Sequence, residues 1–324
     1  MATCLLALGS NVGDREATLR EALAAIDATP GVALQRQSGW YATAAVGGPP
    51  NQGEFINAAA VVECSLGPAE LLATLHQIES LCGRHRRERW AARTCDIDLI
   101  LYGDQVIRLP GLNVPHPNMS FRRFVLQPAA EIAGEMIHPT IGWSIERLLS
   151  HLQHASDLVA ILSPLEPRRI ELATTLADQI GGAVVDVPTF EGVALLWPQQ
   201  LTSWVRRGGR NAPAARVAAT GGAALRNREA HDQSPPVPAA DFPKLSVILD
   251  CGAAEMPAVI SDWTGPIIPP GISVSQSERW SDVLDRPGRG PTLHLDATDM
   301  AHVYPEVFAA VQAVWPDEPA SRTA

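Results

Sequence analysis

Lysine is nearly missing from this chain. One residue, Lys244 in the stretch DFPKLSV, stands against 24 arginines. A GxxxxGK[ST] phosphate-binding loop needs a lysine at a fixed offset, and Lys244 has no such context, so the chain holds no Walker-type nucleotide site. The five cysteines are an odd number. They show neither CxxC nor Cys/His spacing, which excludes a disulfide framework and a zinc site and suits reduced thiols. No apolar run reaches the roughly 20 residues that cross a bilayer. The opening MATCLLALGSN has no basic segment and reads straight into a strand, so no signal peptide is expected and the expected location is cytoplasmic. Basic charge is also short: the net charge of −10 argues against a general nucleic-acid binder, and no membrane partner is expected. At 324 residues, 46% hydrophobic and 19% charged, the chain is an ordinary globular one with room for two domains.

What charge there is gathers between Gly83 and Tyr102, reading GRHRRERWAARTCDIDLILY. Residues 94–102 carry β-branched residues and no breaker, so they read as a strand. Side chains two apart on a strand share a face, and Asp96 and Asp98 therefore point together, with Cα atoms roughly 7 Å apart. Cys95, Ile97, Leu99 and Leu101 turn the other way. Two carboxylates on one face call for cations or a shared proton. Upstream, Arg84, Arg86, Arg87, Arg89 and Arg93 suit a polyanion such as a triphosphate. A carboxylate pair beside an arginine cluster is the equipment of magnesium-dependent phosphoryl transfer.

The rest of the chain supplies an order of elements. An apolar strand over 3–8 ends in a Gly9-Ser10-Asn11 turn, and Asp14 is placed to cap a helix with Leu19, Leu23 and Ile26 on one side. Residues 32–41 alternate as one strand, 43–53 form a Gly/Pro-rich loop, and 55–64 form a second apolar strand. Pro68 opens a helix that Gly83 closes. After the Asp strand, Gly103-Asp104 turns into a hairpin at Val106-Ile107. Ser120 is placed to cap a helix over 121–133, a further helix covers 144–154, and a strand over 158–162 closes this half. The order β-α-β-β-α-β predicts an α+β fold, a ferredoxin-like sandwich with an added hairpin. The expected domains are 1–163 and 164–324. The second is expected to be an α/β extension of uncertain fold, with helices over 169–181 and 299–314, strands over 183–187, 245–249 and 292–295, and a mobile segment near 207–243.

Four stretches are specific enough for a family: LALGSNVGD, GEFINAA, RWAARTCDIDLILYG and VPHPNMSFRRFVLQPAAEIA. On them, residues 1–160 closely resemble 6-hydroxymethyl-7,8-dihydropterin pyrophosphokinases, enzymes of folate biosynthesis. The resemblance does not reach the second half. It implies a transferase that moves pyrophosphate from ATP to the pterin hydroxymethyl group and releases AMP, with ATP and the pterin as partners. It implies that Asp96 and Asp98 hold magnesium, two ions with ATP, and that Arg84 and Arg93 act on the triphosphate as catalytic groups. Arg86, Trp90, His116, Arg122 and Glu79 match ATP-contacting positions. Arg122 and Arg123 are adjacent, so only one can face the site, and alignment from VPHP favours Arg122. Phe55 and Phe124 match the aromatics that sandwich the ring, Asn57 the residue that reads its edge, and Thr43 and Val46 the backbone lining of that pocket. Relatives with TPPxG differ from this chain's Thr43-Ala44-Ala45-Val46-Gly47, which lacks both prolines and should be less rigid. Glu79 would otherwise be an ordinary exposed glutamate.

Two other classes compete for the first half. An RNA-binding ferredoxin-like sheet would show salt-sensitive binding without ATP turnover, and a nucleotidyltransferase with a DxD pair would release pyrophosphate. The second half reads as a non-catalytic appendage open to a protein partner, with a degenerate nucleotide-kinase-like domain as the alternative.

Overall fold

The computed structural model describes residues 1–47, 52–83, 93–162, 166–180, 183–186, 216–220, 243–250, 291–296, 299–314 and 321–322. They form two compact units, Met1–Leu149 together with Ala309–Ala324, and Ser150–Phe308. The division thus falls before the expected 163/164 boundary, and the last residues of the chain return to the first unit.

In the first unit, strand β1 (Ala2–Ser10) runs longer than the 3–8 expected, because Gly9 and Ser10 go on pairing with Asn57 and Ile56 instead of turning. Helix α1 (Arg15–Asp27) starts at Asp14, whose Oδ1 accepts the Ala17 N–H at 3.1 Å and so satisfies an end group that the helix cannot. The single strand expected over 32–41 is two, β2 (Val32–Gln37) and β3 (Tyr41–Thr43). The break falls at Ser38, whose hydroxyl accepts the Ala59 N–H while its own N–H donates to the Ala59 carbonyl. Strand β4 (Phe55–Cys64) then pairs with β1, β2 and β3.

Helix α2 (Pro68–Leu81) opens on proline at a position where a missing N–H costs nothing, and Gly83, at φ +80°, ends it in the left-handed conformation. Strand β5 (Asp96–Tyr102) follows. The hairpin lies slightly later than expected, as β6 (Ile107–Leu109) and β7 (Leu112–Val114), with Gly111 at φ +77° in its turn. The Val114–Pro115 peptide is cis. Ser120 does not cap the next helix. It is buried inside a 3-10 turn (Met119–Phe121), and helix α3 (Arg123–Ala133) begins after Arg122. Helix α4 (Ile145–His154) begins as expected, with the Ser144 hydroxyl accepting the Arg147 N–H at 3.1 Å.

The sheet of this unit is antiparallel, in the order β13-β3-β4-β1-β5 with β2 also on β4, where β13 is Ser321–Arg322. Alternation along β1 sends Cys4, Leu6 and Leu8 into a core with Leu19, Leu23 and Ile26 of α1 and Leu71, Leu75 and Ile78 of α2. Ala7 and Gly9 turn to the other face, where α3 packs on β4 and β1. That second face carries the site.

The second unit holds a parallel sheet, in the order β12-β11-β8-β10-β9, of β8 (Ser156–Leu162), β9 (Ala183–Asp186), β10 (Arg216–Thr220), β11 (Pro243–Asp250) and β12 (Thr292–Asp296). Strand β8 was expected to close the first half. It is instead the central strand here, because its run of Leu158, Val159 and Ile161 pairs on both sides, with β10 and β11. Helix α5 (Glu166–Ile180) supplies a crossover of the kind parallel strands require. Of residues 207–243, expected to be mobile in part, 216–220 form strand β10, and most of the others lie outside the described residues. Helix α6 (Met300–Val314) follows β12, and its Ala309–Val314 end belongs to the first unit. Among the described residues no helix is long and apolar enough to cross a membrane.

Candidate active site

Strand register brings the site together. Across the first sheet, Asn57 of β4, Gly9 of β1 and Asp96 of β5 lie in one row, and Ala7 pairs with Asp98 in the next. Adjacent strands are about 4.8 Å apart, so Asn57 and Asp96 stand on either side of Gly9 at a spacing on the order of 10 Å. A Cβ at Gly9 would lie 3.2 Å from the Asn57 Oδ1 and 3.7 Å from the Phe55 ring. Glycine keeps the floor low where a larger residue would fill it.

Above that floor is a cavity lined by both carboxylates and by the aromatics and arginines around them. Asp96, Asp98, Arg93, Arg122, Phe55, Asn57, Phe124, Thr43 and Val46 all reach it. Nine of the residues singled out in the sequence thus share one cavity, although they come from β3, β4, β5, the start of α3 and two loops.

The two carboxylates sit at the start of β5. Arg93 Nη1 forms an ion pair with Asp96 Oδ2. The main chain of Arg93 is fastened to the end of β1, since its N–H donates to Asn11 Oδ1 at 2.7 Å and its carbonyl accepts the Asn11 N–H at 3.1 Å. The Gly-Ser-Asn motif therefore does more than turn the chain: its Asn11 holds the arginine that leads into β5. No cluster of three or more His, Cys, Asp or Glu exists among the described residues. Two hard oxygen donors facing a cavity fit magnesium, which takes one or two carboxylates and completes its shell with substrate phosphates and water.

At the opposite end, the Asn57 Nδ2 donates to Thr43 Oγ1 at 2.8 Å, which fixes the amide's orientation. The Arg122 guanidinium lies over the Phe124 ring at 5.5 Å from its centre. Its neighbour Arg123 turns away and donates from Nε to the Val314 carbonyl at 3.0 Å. Of the adjacent pair, Arg122 is thus the one at the cavity.

His116 is half-buried and does not line the cavity. Loss of solvation, together with the positive charge of Arg122, pushes its pKa down to about 3 against an opposing pull from Asp96. The neutral ring is the form its contacts need, because Nδ1 accepts the Asn118 N–H at 3.2 Å. Glu79 is neither exposed nor at the cavity. It is 2% exposed, and its Oε1 accepts the Ile97 N–H at 2.8 Å, directly between Asp96 and Asp98 in the chain. It supports the strand from behind. Arg84, Arg86 and Trp90, with Arg87 and Arg89, lie outside the described residues.

Sequence reasoning missed Gly9, Asn11 and Gln52. The first two carried a signal, a glycine and an asparagine inside LALGSN, but were assigned to a turn. Gln52 lines the cavity and donates from Nε2 to the Gly47 carbonyl at 3.2 Å, and nothing in a Gly/Pro-rich loop announces that.

A family described as 7,8-dihydro-6-hydroxymethylpterin-pyrophosphokinase (HPPK) matches residues 5–134. Three proteins named 2-amino-4-hydroxy-6-hydroxymethyldihydropteridine pyrophosphokinase are similar to this chain. One, from Synechocystis sp., is 40% identical over 148 residues, covering 46% of this chain and 75% of that protein. Another, from Bacillus subtilis, is 44% identical over 131 residues, 40% of this chain and 78% of the relative. The third, from Haemophilus influenzae, is 39% identical over 139 residues, 43% of this chain and 86% of the relative. All three are covered over most of their length, the matched family residues carry the whole of the cavity's carboxylate and aromatic set, and the chain therefore belongs to the 7,8-dihydro-6-hydroxymethylpterin-pyrophosphokinase family.

Proposed function

We propose that the cavity between Asn57 and the Asp96–Asp98 pair is where this chain carries out the reaction of its family. As a member, it is a 2-amino-4-hydroxy-6-hydroxymethyldihydropteridine pyrophosphokinase, a transferase of folate biosynthesis that moves pyrophosphate from ATP to 6-hydroxymethyl-7,8-dihydropterin. The observation that carries the placement is the row Asn57–Gly9–Asp96, with an aromatic pocket at one end and paired carboxylates at the other.

The pterin lies at the Asn57 end. Phe55 and Phe124 stack on its faces, where offset aromatic contact contributes about 0.5–1.5 kcal/mol beyond area. The amide of Asn57, held by Thr43, reads the ring edge with a donor and an acceptor together. Backbone groups near Thr43 and Val46 complete the slot. The hydroxymethyl group then points along the row toward Asp96.

Asp96 and Asp98 would hold magnesium, two ions with ATP, and its charge would offset that of the triphosphate. Arg93 and Arg122 bring guanidinium forks to the phosphate oxygens, and the resemblance assigns Arg84, Arg86 and Trp90 to ATP as well. His116, neutral and beside Arg122, offers ATP a hydrogen bond and no charge. The hydroxymethyl oxygen attacks the β-phosphorus, the bond from that phosphorus to the bridging oxygen of the α-phosphate breaks, and AMP leaves with the electron pair. The hydroxyl proton passes to water, since among the described residues the cavity's carboxylates are the two given to magnesium, and positioning carries the step.

Strands β5-β1-β4-β2/β3 with α1 and α2 on one face support a ferredoxin-like assignment for the first unit. A cytoplasmic setting suits the substrates. The second unit is an appendage without catalytic function of its own, open to a protein partner. Its parallel sheet, with β8 in the centre and strands of the same direction on both sides of it, also favours a degenerate nucleotide-kinase-like origin.

Product analysis tests the reading. AMP should form only when the pterin is present, and Asp96→Asn and Asp98→Asn should each remove turnover while leaving the melting temperature close to the parent's. Retained activity in both variants, or pyrophosphate as the released product, would sink it.

A further inference from the structure

Every wall of the cavity described so far comes from residues 1–134, yet three of its pieces are held by the end of the chain. Helix α6 ends in Ala309, Ala310, Val311, Ala313 and Val314, all buried, with Gln312 half-buried between them. Gln312 Oε1 accepts the Gly47 N–H at 3.1 Å. The Val314 carbonyl accepts Arg123 Nε at 3.0 Å. Strand β13 pairs with β3 at the edge of the sheet, Ser321 opposite Ala42 and Arg322 opposite Tyr41. All of these residues belong to the same compact unit.

The three contacts fall on the three elements that form the Asn57 end. Gly47 closes the lining loop that begins with Ala44, Arg123 stands between the cavity residues Arg122 and Phe124, and β3 ends in Thr43, the partner of Asn57. The lining loop has little stiffness of its own. It reads Thr-Ala-Ala-Val-Gly without proline, and Gly47, at φ +71°, has wide backbone freedom. Both polar groups of Gly47 are nonetheless tied down by side chains, the carbonyl by Gln52 and the N–H by Gln312.

We propose that the end of α6, Ala309–Val314, and strand β13 together brace the pterin-facing wall, and that Gln312 is a positioning residue for the pterin. The brace does the work that rigid prolines would do in the loop itself. It acts on pterin binding rather than on the carboxylate end, because the contacts described for it fall on β3, the 44–47 loop and the start of α3. The inference rests on the pterin occupying the Asn57 end.

The test is steady-state kinetics and thermal melting on the full-length protein with Gln312→Ala and Gln312→Glu, beside Asn57→Ala as a control on the pocket. Loss of one hydrogen bond that orders the wall should raise the pterin KM about threefold to tenfold in Gln312→Ala, with the ATP KM, kcat and melting temperature unmoved. Gln312→Glu keeps an acceptor for the Gly47 N–H and should restore the parent KM. A second variant, ending at residue 320 and so lacking β13, should also raise the pterin KM alone. An unchanged pterin KM in Gln312→Ala, with a raised one in Asn57→Ala, overturns the brace and leaves the pocket standing. An unchanged pterin KM in Asn57→Ala overturns the pocket reading and the brace with it. A rise in both KM values together with a lower melting temperature, or Gln312→Glu as impaired as Gln312→Ala, also overturns it.

Discussion

His116 is a histidine held in the neutral form by its surroundings. Burial and the nearby Arg122 take its pKa from 6.5 to about 3, against Asp96, which pulls the other way. In the unfolded chain the ring takes up a proton near pH 6.5, while in the folded protein it stays neutral until near pH 3. Between these values the unfolded state binds more protons, so stability rises with pH across the window and falls as acid is added. The contribution is fully present above pH 6.5. Urea unfolding from pH 7 to pH 4 should show stability falling more steeply in the parent than in His116→Asn, which has no ring to titrate. Equal slopes would mean that the ring is not held neutral. Glycine matters at the same scale for the opposite reason: Gly9 serves by lacking a side chain, and its neighbours Asn57 and Phe55 occupy the space.

Strand β5 is the element that carries both carboxylates of the cavity, and it is secured from three directions. Its core face, with Ile97 and Leu99, packs among residues of α1 and α2, its start is tied to β1 through Arg93 and Asn11, and Glu79 reaches from α2 to the Ile97 N–H. Replacing Glu79 with alanine leaves that buried N–H without an acceptor, a loss of about 1–3 kcal/mol. Glu79→Gln keeps an acceptor and should lose less. Chemical denaturation compares the two, and an alanine variant as stable as the parent would show that the contact carries no weight. The element also shows where reading residues in order succeeds and where it stops. Alternation put Asp96 and Asp98 on one face and their neighbours in the core, because a strand has a period of two whatever surrounds it. The same reading ran β1 only to Leu8, since a Gly-Ser-Asn run favours a turn locally. Pairing with Asn57 and Ile56 overrides that preference. The resemblance puts Glu79 among the ATP contacts, and otherwise it reads as an exposed glutamate, because a helix sequence does not say that a strand's N–H waits on its inner side.

At the scale of the whole molecule, residues far apart in the chain, Met1–Leu149 and Ala309–Ala324, share one unit. A protein truncated after Leu149 loses α6 and β13 along with the second sheet. It should keep the circular dichroism of β1 to β7 with α1 to α3 and its turnover at saturating pterin, but need more pterin to reach it, while the ATP KM stays near the parent value. Full pterin affinity in that fragment would show that nothing beyond residue 149 serves the site. The expected division at 163/164 took the proline-interrupted stretch there as a linker, which is a sound local inference. It failed because β8 is an apolar strand with no label for its sheet, and pairing with β10 and β11 claimed it for the second unit.

The sequence alone determined which chemistry this chain carries. The missing lysine loop, the DxD strand, the arginines before it and the FIN and VPHP stretches are local patterns, and their residues keep that meaning in any packing. It also determined most elements, because caps, prolines and periodicity act within a few residues. Only the tertiary structure decided which of two adjacent arginines meets the cavity, that Glu79 supports a strand, that Gly9 is its floor, and that Gln312 reaches Gly47 across 265 residues of chain. Contacts between distant residues depend on strand register and on the path of the chain, and neither is written in any short stretch of it.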